Sequence, residues 1–129
     1  MQVDVVSPER ILFSGQATMV ITRTLGGGEI AFLPGHAPFL AAVTENHTRI
    51  ALEGGVVVDV AVHGGFVEVS NNKVSILSDV AELGDQIDIS RARAARERAQ
   101  EELRRDATEE AQAALNRAEA RLAAAGQPV

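Results

Sequence analysis

Glycine and alanine are distributed so unevenly along this 129-residue chain that two different architectures must be joined in it. Ten of the eleven glycines lie before residue 85, whereas thirteen alanines lie between residues 90 and 129. Glycine interrupts regular elements and serves tight turns, while alanine is the strongest helix former. The sequence therefore predicts a turn-rich domain over residues 1-86 and a helical domain over residues 87-129.

Alternation with a period of two marks the first part as a set of β-strands. Val3 and Val5 alternate with polar neighbours, and alternating valines run through residues 56–62. Turn-forming groups separate the strands at short intervals: Ser14-Gly15, Gly26-Gly27-Gly28, Pro34-Gly35, Gly54-Gly55, Gly64-Gly65 and Asn71-Asn72. No segment before residue 88 has helical periodicity. Eight to ten short strands with this spacing predict an all-β sandwich or flattened barrel.

The second part is predicted to form two helices. From Ser90 to Ala125 the chain has no glycine or proline. Asp106 followed by Glu109 resembles a capping signal, which predicts a second helix beginning near Ala107. Two apolar stripes have helical spacing, the first formed by Ala92, Ala95, Ala99 and Leu103 and the second by Ala111, Leu115, Ala118, Leu122 and Ala125. The sequence thus predicts an antiparallel helical hairpin after the sandwich.

The predicted hairpin is weakly held, because its stripes consist mostly of alanine. Each buried methyl contributes only about 0.8 kcal/mol. The break between the helices contains no glycine or proline, so a continuous helix would lose only about 1 to 2 kcal/mol of capping and propensity. A folded-back hairpin and an extended rod are therefore predicted to lie within a few kcal/mol of each other. The alternative is that one form always dominates and the stripes are purely structural.

Composition and charge argue against several classes of function. Residues 1–89 carry four basic and eleven acidic side chains, a net charge of −7, and they contain all four aromatic residues. Such a surface disfavours a nucleic-acid backbone, and the arginine-rich second part has no ring on which a base would stack. The longest apolar stretches fall far short of the ~20 residues of a membrane helix. We expect no nucleic-acid partner, no direct membrane insertion and a cytosolic location.

No enzyme active site is apparent in the sequence. The chain has no cysteine, and its three histidines lack metal-ligand spacing with Asp or Glu. No serine stands in a GxSxG setting. The triple glycine at 26–28 is followed by a strand-like run with proline, so it is interpreted as a hairpin loop rather than a phosphate loop. We therefore predict a non-enzymatic protein without a metal site.

Four arginines form a charged pattern that has two interpretations. Arg91 and Arg98 are seven residues apart on the first predicted helix, and Arg117 and Arg121 are four apart on the second. In an antiparallel hairpin the four guanidiniums would converge, and forked cations bind polyphosphate such as ATP well. The alternative is ordinary solvated arginines, paired weakly with Glu97, Glu101, Glu102 and Glu119.

Four ordered segments give the chain a family resemblance. Ser7–Gly15, Gly28–Leu40, His63–Val69 and Val74–Asp79 strongly resemble the epsilon subunit of bacterial F-type ATP synthases. The likeness extends in order from about residue 2 to residue 125. It implies a sandwich of about ten strands followed by a helical hairpin, in agreement with the two-part prediction.

The resemblance also implies a function. Epsilon subunits are non-catalytic components of the central rotor stalk, where the sandwich binds the gamma subunit, rests on the c-ring and couples rotation to proton flow. Their helices extend into the alpha and beta subunits and inhibit ATP hydrolysis by a conformational change. The expected location is peripheral, on the cytoplasmic face of the bacterial cell membrane. Two rivals are a stand-alone ATP-sensing binding module and a coiled-coil adaptor.

Candidate sites follow from the same resemblance. The segment Ile87–Ala92 matches the ATP-binding signature of the family, an Ile or Leu followed by Asp, two variable residues, Arg and Ala. No cofactor is required, and ATP is expected as a regulatory ligand. The positions that match nucleotide contacts are Glu82, Asp88, Arg91, Ala92, Arg98, Arg117 and Arg121. The positions that match rotor-interface segments are Glu29, Gly35 and His36.

Overall fold

Eight strands, two short 3-10 turns and two helices make up the computed structural model, which describes all 129 residues. The strands are β1 Gln2–Val6, β2 Ile11–Gln16, β3 Met19–Thr24, β4 Gly28–Phe32, β5 Phe39–Ala51, β6 Val57–Ser70, β7 Lys73–Leu77 and β8 Ala81–Leu83. The helices are α1 Ile89–Arg105 and α2 Glu109–Ala124. The 3-10 turns span Glu53–Gly55 and Gly84–Gln86. The predicted β-sandwich followed by a helical hairpin is confirmed.

The strands are hydrogen-bonded in the order β2-β1-β7-β6-β5-β3-β4, and β8 pairs with β6. β1 and β7 run parallel, whereas the other pairs are antiparallel. The predicted glycine loop is a hairpin turn, because β3 and β4 pair on either side of it from Val20 with Phe32 to Thr24 with Gly28.

The eight strands are fewer than the ten that the family resemblance implied, because two of them are unusually long. β5 has 13 residues and β6 has 14, about twice the usual length. Their pairing is interrupted between Val43 with Gly65 and Glu45 with His63. Gly64 and Gly65 have φ values of 81° and 113°, in a region that favours glycine, and they let β6 bend without ending. Each long strand therefore takes the place of two strands of ordinary length.

Alternating valines and isoleucines supply the core between the layers. One side of each strand faces inward, which is the arrangement that the period of two predicts. The fully buried members of the core are Val3, Val5, Val20, Phe32, Ile50, Val60, Val62, Val67, Val74 and Ile76. The sandwich therefore has a complete apolar core without help from the helices.

The hairpin turn differs from its prediction in one respect. Asp106 does not cap α2; it ends α1, with an extended backbone and its N–H donating to the carbonyl of Glu102. Thr108 caps α2 instead, since its Oγ1 accepts from the N–H of Ala111 at 3.1 Å. Aspartate and threonine are both good capping residues, and the spacing to Glu109 favoured the wrong one.

Neither helix has the length and hydrophobicity that crossing a bilayer requires.

α2 lies between α1 and the sandwich, where it packs on β5 and β6. Small side chains line both of its contacts: Ala111, Ala118, Ala120 and Ala124 are buried, with Leu122 as the one large buried residue. Ala61 of β6 points away from the core and is nevertheless fully buried, because α2 covers it. The hairpin is thus folded back, and it is held through a thin, alanine-rich contact.

Candidate functional site

A cavity of about 410 Å³ lies where the sandwich meets the hairpin. It is bounded by the end of β8, the turn that leads into α1, the first turns of α1, and the last turns of α2. Its lining residues are Glu82, Gln86, Ile87, Asp88, Arg91, Ala92, Ala95, Arg98 and Arg121. We call it the Arg91 cavity. Its volume is within the ordinary range for small-molecule sites.

The start of α1 places the first cations at this cavity. The Asp88 carboxylate accepts a hydrogen bond from the N–H of Arg91 at 3.0 Å and so caps the helix. The cap fixes Arg91 on the first turn, and the helical repeat puts Arg98 two turns further along the same side. The aspartate of the signature is therefore a structural residue that orients the arginine after it.

Arg121 reaches the cavity from α2 and is anchored to the sandwich. Its Nε donates to Oε1 of Glu82 at 2.7 Å. Hydrogen bonds from His63 and Arg121, with the positive charge of both, lower the pKa of Glu82 to about 2 although partial burial opposes the shift. Glu82 is therefore ionised at every physiological pH, and it holds the Arg121 guanidinium at the rim of the cavity.

The cavity has the electrostatic character of an anion site. Arg91, Arg98 and Arg121 contribute three positive charges against the two carboxylates of Glu82 and Asp88. Arg91 and Arg98 form no ion pair within the chain, so their forked donors are available to a ligand. Phosphate oxygens are the acceptors that such groups bind best.

Six of the seven predicted nucleotide positions line this cavity, and Arg117 does not. Arg117 lies one turn before Arg121 on α2, and its guanidinium is 3.6 Å from the carboxylate of Glu110. The alternative prediction, in which the arginines pair with neighbouring glutamates, also differs from the structure. Glu101 pairs with Arg104, and the partner of Arg121 is on the sandwich. Three guanidiniums converge rather than four.

A histidine to which no sequence pattern gives a role lies behind Glu82. His63 of β6 has a side chain only 3% exposed, and its two ring nitrogens each face a carboxylate. Nδ1 is 2.8 Å from Oε2 of Glu45, and Nε2 is 3.0 Å from Oε1 of Glu82. Pairing across β5, β6 and β8 creates this cluster, and no local spacing in the sequence reveals it.

The predicted rotor-interface residues fall at two separate places. Glu29, the second residue of β4, lies 3.1 Å from Arg49 and 3.9 Å from Arg23. Gly35 is in the loop after β4, where its φ of 82° favours glycine and its N–H donates to Asn72. His36 stacks edge-on against Phe32 at 5.0 Å. The length of β4 separates Glu29 from the other two residues.

An exposed apolar patch occupies the part of β5, β6 and β7 that α2 leaves uncovered. Phe66 is 55% exposed and is paired with Leu77, which is 48% exposed. Leu40, two residues from the Ala42 that pairs with Phe66, is 67% exposed. We call these three residues the Phe66 patch. Neighbouring large apolar side chains left in solvent are typical of a protein-binding surface.

These features define a class of protein in which a β-sandwich with its own core carries a C-terminal helical hairpin. Residues 1–84 match the beta-sandwich domain of the ATP synthase delta/epsilon chain, and residues 85–126 match the long alpha-helix domain of the same chain. The chain therefore belongs to the ATP synthase delta/epsilon family, as its resemblance to epsilon subunits predicted.

Curated relatives agree with this assignment. The ATP synthase epsilon chain of Brevibacillus brevis is 50% identical over 103 residues, which cover 80% of this chain and 77% of that protein. The epsilon chain of Desulforamulus reducens is 39% identical over 128 residues and 96% of each chain. The present chain is thus similar to epsilon chains over both of its parts.

Solved structures show the same fold at low sequence identity. A chain of the Euglena gracilis mitochondrial ATP synthase, solved with F1 and the c-ring, superposes with a TM-score of 0.81 and 22% identity over 97% of this chain and 80% of that chain. A central-stalk and c-ring structure from Tetrahymena thermophila gives a TM-score of 0.57 and 16% identity, covering 72% and 69%. The architecture therefore recurs in ATP synthase assemblies.

Proposed function

We propose that this epsilon-family chain is a non-catalytic subunit of the central rotor stalk. In this proposal its sandwich binds the gamma subunit and the c-ring and couples rotation to proton flow. Its hairpin moves toward the alpha and beta subunits and inhibits ATP hydrolysis. The subunit is peripheral, on the cytoplasmic face of the bacterial membrane.

The observation that carries the proposal is that two stretches of β5 and β6 present different surfaces. Beyond the bend at Gly64 and Gly65, the outer side of the sheet presents the Phe66 patch; before the bend, it carries α2. A partner that docks on the patch leaves the hairpin free to move. The core of the sandwich contains no hairpin residue, so the sandwich does not need the hairpin in order to fold.

The proposed binding of the sandwich to the gamma subunit is tested by co-purification. Phe66→Glu places a charge in the centre of the patch, and we expect it to reduce the recovered gamma subunit about tenfold or more. Val56→Glu is the matched control, because Val56 is 57% exposed just before β6, at the end of that strand remote from Phe66, and the change should leave recovery unchanged. Equal recovery with Phe66→Glu contradicts docking at the Phe66 patch. No gamma subunit with the unaltered chain contradicts the rotor role and favours a stand-alone sensor.

The proposed movement of the hairpin is supported by the residues that form the contact between α2 and the sheet. Four of the five buried residues of α2 are alanines, and the helix lies over a side of the sheet that carries Glu45, His47, Asp59 and His63. Alanine methyls bury little apolar area, and the polar groups below them are rehydrated when the helix leaves. Such an interface separates at low cost.

We further propose that ATP is a regulatory ligand of the Arg91 cavity. The support is the convergence of Arg91, Arg98 and Arg121 from both helices on a space of about 410 Å³. A bound polyphosphate would bridge α1 and α2, and it would therefore stabilise the folded-back hairpin over any extended form. By mass action, the ligand favours the form that it binds.

Calorimetry with ATP on the full chain tests the cavity. Arg91→Ala removes a forked donor without an internal partner, and we expect it to weaken ATP binding about tenfold or more, as the loss of a charge-assisted hydrogen bond does. Arg117→Ala is the matched control, because it removes the same charge from outside the cavity. The proposed site is contradicted if the unaltered chain does not bind ATP. It is also contradicted if Arg91→Ala and Arg117→Ala weaken ATP binding equally.

A further inference from the structure

His63 has two acidic neighbours and almost no access to solvent. Its side chain is 3% exposed beneath the hairpin, with Glu45 of β5 on one side and Glu82 of β8 on the other. The distances of 2.8 Å to Glu45 and 3.0 Å to Glu82 are hydrogen-bond distances. Both contacts are satisfied only if each ring nitrogen carries a proton, since an ionised carboxylate only accepts hydrogen bonds.

A neutral imidazole cannot satisfy this geometry. It has one N–H, so its other nitrogen would turn a lone pair toward a carboxylate oxygen at 3.0 Å or less. Glu82 also accepts the hydrogen bond from Nε of Arg121, and that contact favours the ionised carboxylate independently of His63. Loss of the proton from His63 therefore breaks one of the two contacts.

The cluster is directly connected to the hairpin. Oε1 of Glu82, the atom that faces His63, also accepts the hydrogen bond from Nε of Arg121 at 2.7 Å. Arg121 is on α2, so a continuous path of polar contacts runs from β5 through β6 and β8 into the helix. His63 and Arg121 thus share one oxygen atom of Glu82 as their hydrogen-bond partner.

Other charged groups surround the cluster without a direct contact to His63. On β5 and β6 the nearby pair is His47 and Asp59, joined at 2.7 Å. The charged groups that share a cavity with Glu45 are Arg23 of β3, Glu29 of β4, Arg49 of β5 and Glu119 of α2. Those that share the Arg91 cavity with Glu82, besides Arg121, are Asp88, Arg91 and Arg98. His47 uses only Nε2, so a neutral ring satisfies Asp59, and this pair needs no second proton.

We propose that His63 is a proton-operated latch: the imidazolium joins Glu45 to Glu82, holds Glu82 against Arg121, and keeps the hairpin docked on the sandwich. The latch is a property of the isolated chain and depends on neither the rotor role nor ATP. Docking therefore weakens when the pH rises far enough to remove the second proton from the ring. It also weakens in strong acid, because a lowered pKa means that the contribution of Glu82 is lost as the pH falls from 4.5 toward about 2.

Spin labels on the full chain measure the latch. The chain has no cysteine, so Glu68→Cys on the exposed side of β6 and Gln112→Cys on the exposed side of α2 give two unique labelling sites. From pH 5.5 to pH 8.5 we expect the ratio of docked to undocked distances to fall roughly tenfold or more, the effect of losing a hydrogen bond to a charged group. A ratio that stays constant over this range overturns the proposal.

Two variants separate His63 from other titrating groups. In the His63→Gln chain we expect the pH dependence of the docked ratio to disappear. In the matched control His47→Gln, which alters the other histidine–carboxylate pair under α2, we expect it to remain. A pH dependence that survives His63→Gln, or that disappears only with His47→Gln, overturns the latch.

The protonation state of the unaltered chain gives a test that does not rely on any variant folding. Nitrogen-15 chemical shifts distinguish an imidazolium from either neutral tautomer. While the hairpin is docked, we expect His63 to carry a proton on both nitrogens. A single proton on His63 in the docked chain overturns the proposal.

Discussion

Replacing Gly84 with alanine is expected to detach the hairpin while the sandwich remains folded. Gly84 is buried in the 3-10 turn between β8 and α1, against the last turn of α2. A methyl group at this position would overlap the carbonyl oxygen of Ala124 and approach Cβ of Asp59 to 3.2 Å. Gly84 lies outside the left-handed region of φ, so the methyl strains the helix contact rather than the turn itself.

The expected size of the Gly84→Ala effect follows from the cost of overpacking. A methyl forced into a packed contact costs about 1 to 3 kcal/mol. If that strain is relieved when α2 moves away, the ratio of docked to undocked chains falls about 5- to 150-fold. The spin labels at positions 68 and 112 measure this ratio, and the thermal unfolding of the sandwich reports whether its fold is retained.

Gly15→Ala is the matched control for Gly84→Ala. Gly15 also lies outside the left-handed region, and its added Cβ would meet only the ring of Phe13, at 3.2 Å, in the edge strand β2. We expect this variant to leave the label distances unchanged. If Gly84→Ala leaves α2 docked as firmly as Gly15→Ala does, the contact between Gly84 and α2 does not hold the hairpin.

The two-part architecture is predictable because its determinants are local. Period-two valines, turn-forming glycines and alanine-rich helical repeats each act over a few residues, and α1 begins at Ile89, beside the predicted boundary. The number of strands is harder to predict. Gly64 and Gly65 have the composition of a turn between strands, but they form a bend within β6, because the pairing with β5 resumes on either side.

The candidate site is predictable only in part. The helical spacing that places Arg91 and Arg98 on one face is a property of α1 alone, and it holds in the structure. Arg117 and Arg121 also share a face, yet only Arg121 reaches the sandwich, where it contacts Glu82, whereas Arg117 lies 3.6 Å from Glu110 of its own helix. Which of the two arginines reaches the sandwich depends on how α2 lies on the sheet.

His63 shows why the rest of the site could not be predicted. Its partners Glu45 and Glu82 are 18 and 19 residues away in the chain, on two other strands. Only the register of β5 and β8 against β6 brings the three side chains together. No short-range pattern encodes a register of this kind, so a lone histidine in a strand gives no sign of its role.

Removing the hairpin is expected to have the largest functional consequence. The proposed inhibition requires the helices to reach the alpha and beta subunits, and a chain that ends at residue 89 has no helix to extend. The sandwich core contains no residue from the hairpin, so the shortened chain keeps its fold and the Phe66 patch. The two proposed roles, coupling and inhibition, are therefore expected to be separable in one polypeptide.

ATP hydrolysis by the assembled synthase, with the full chain or with residues 1–89 alone, tests the proposed inhibition most directly. We expect the complex with the shortened chain to retain its gamma subunit and to hydrolyse ATP about fivefold faster or more, the effect of removing a regulatory coupling of ordinary strength. Equal rates of hydrolysis in two complexes of the same subunit composition would contradict an inhibitory role for the hairpin.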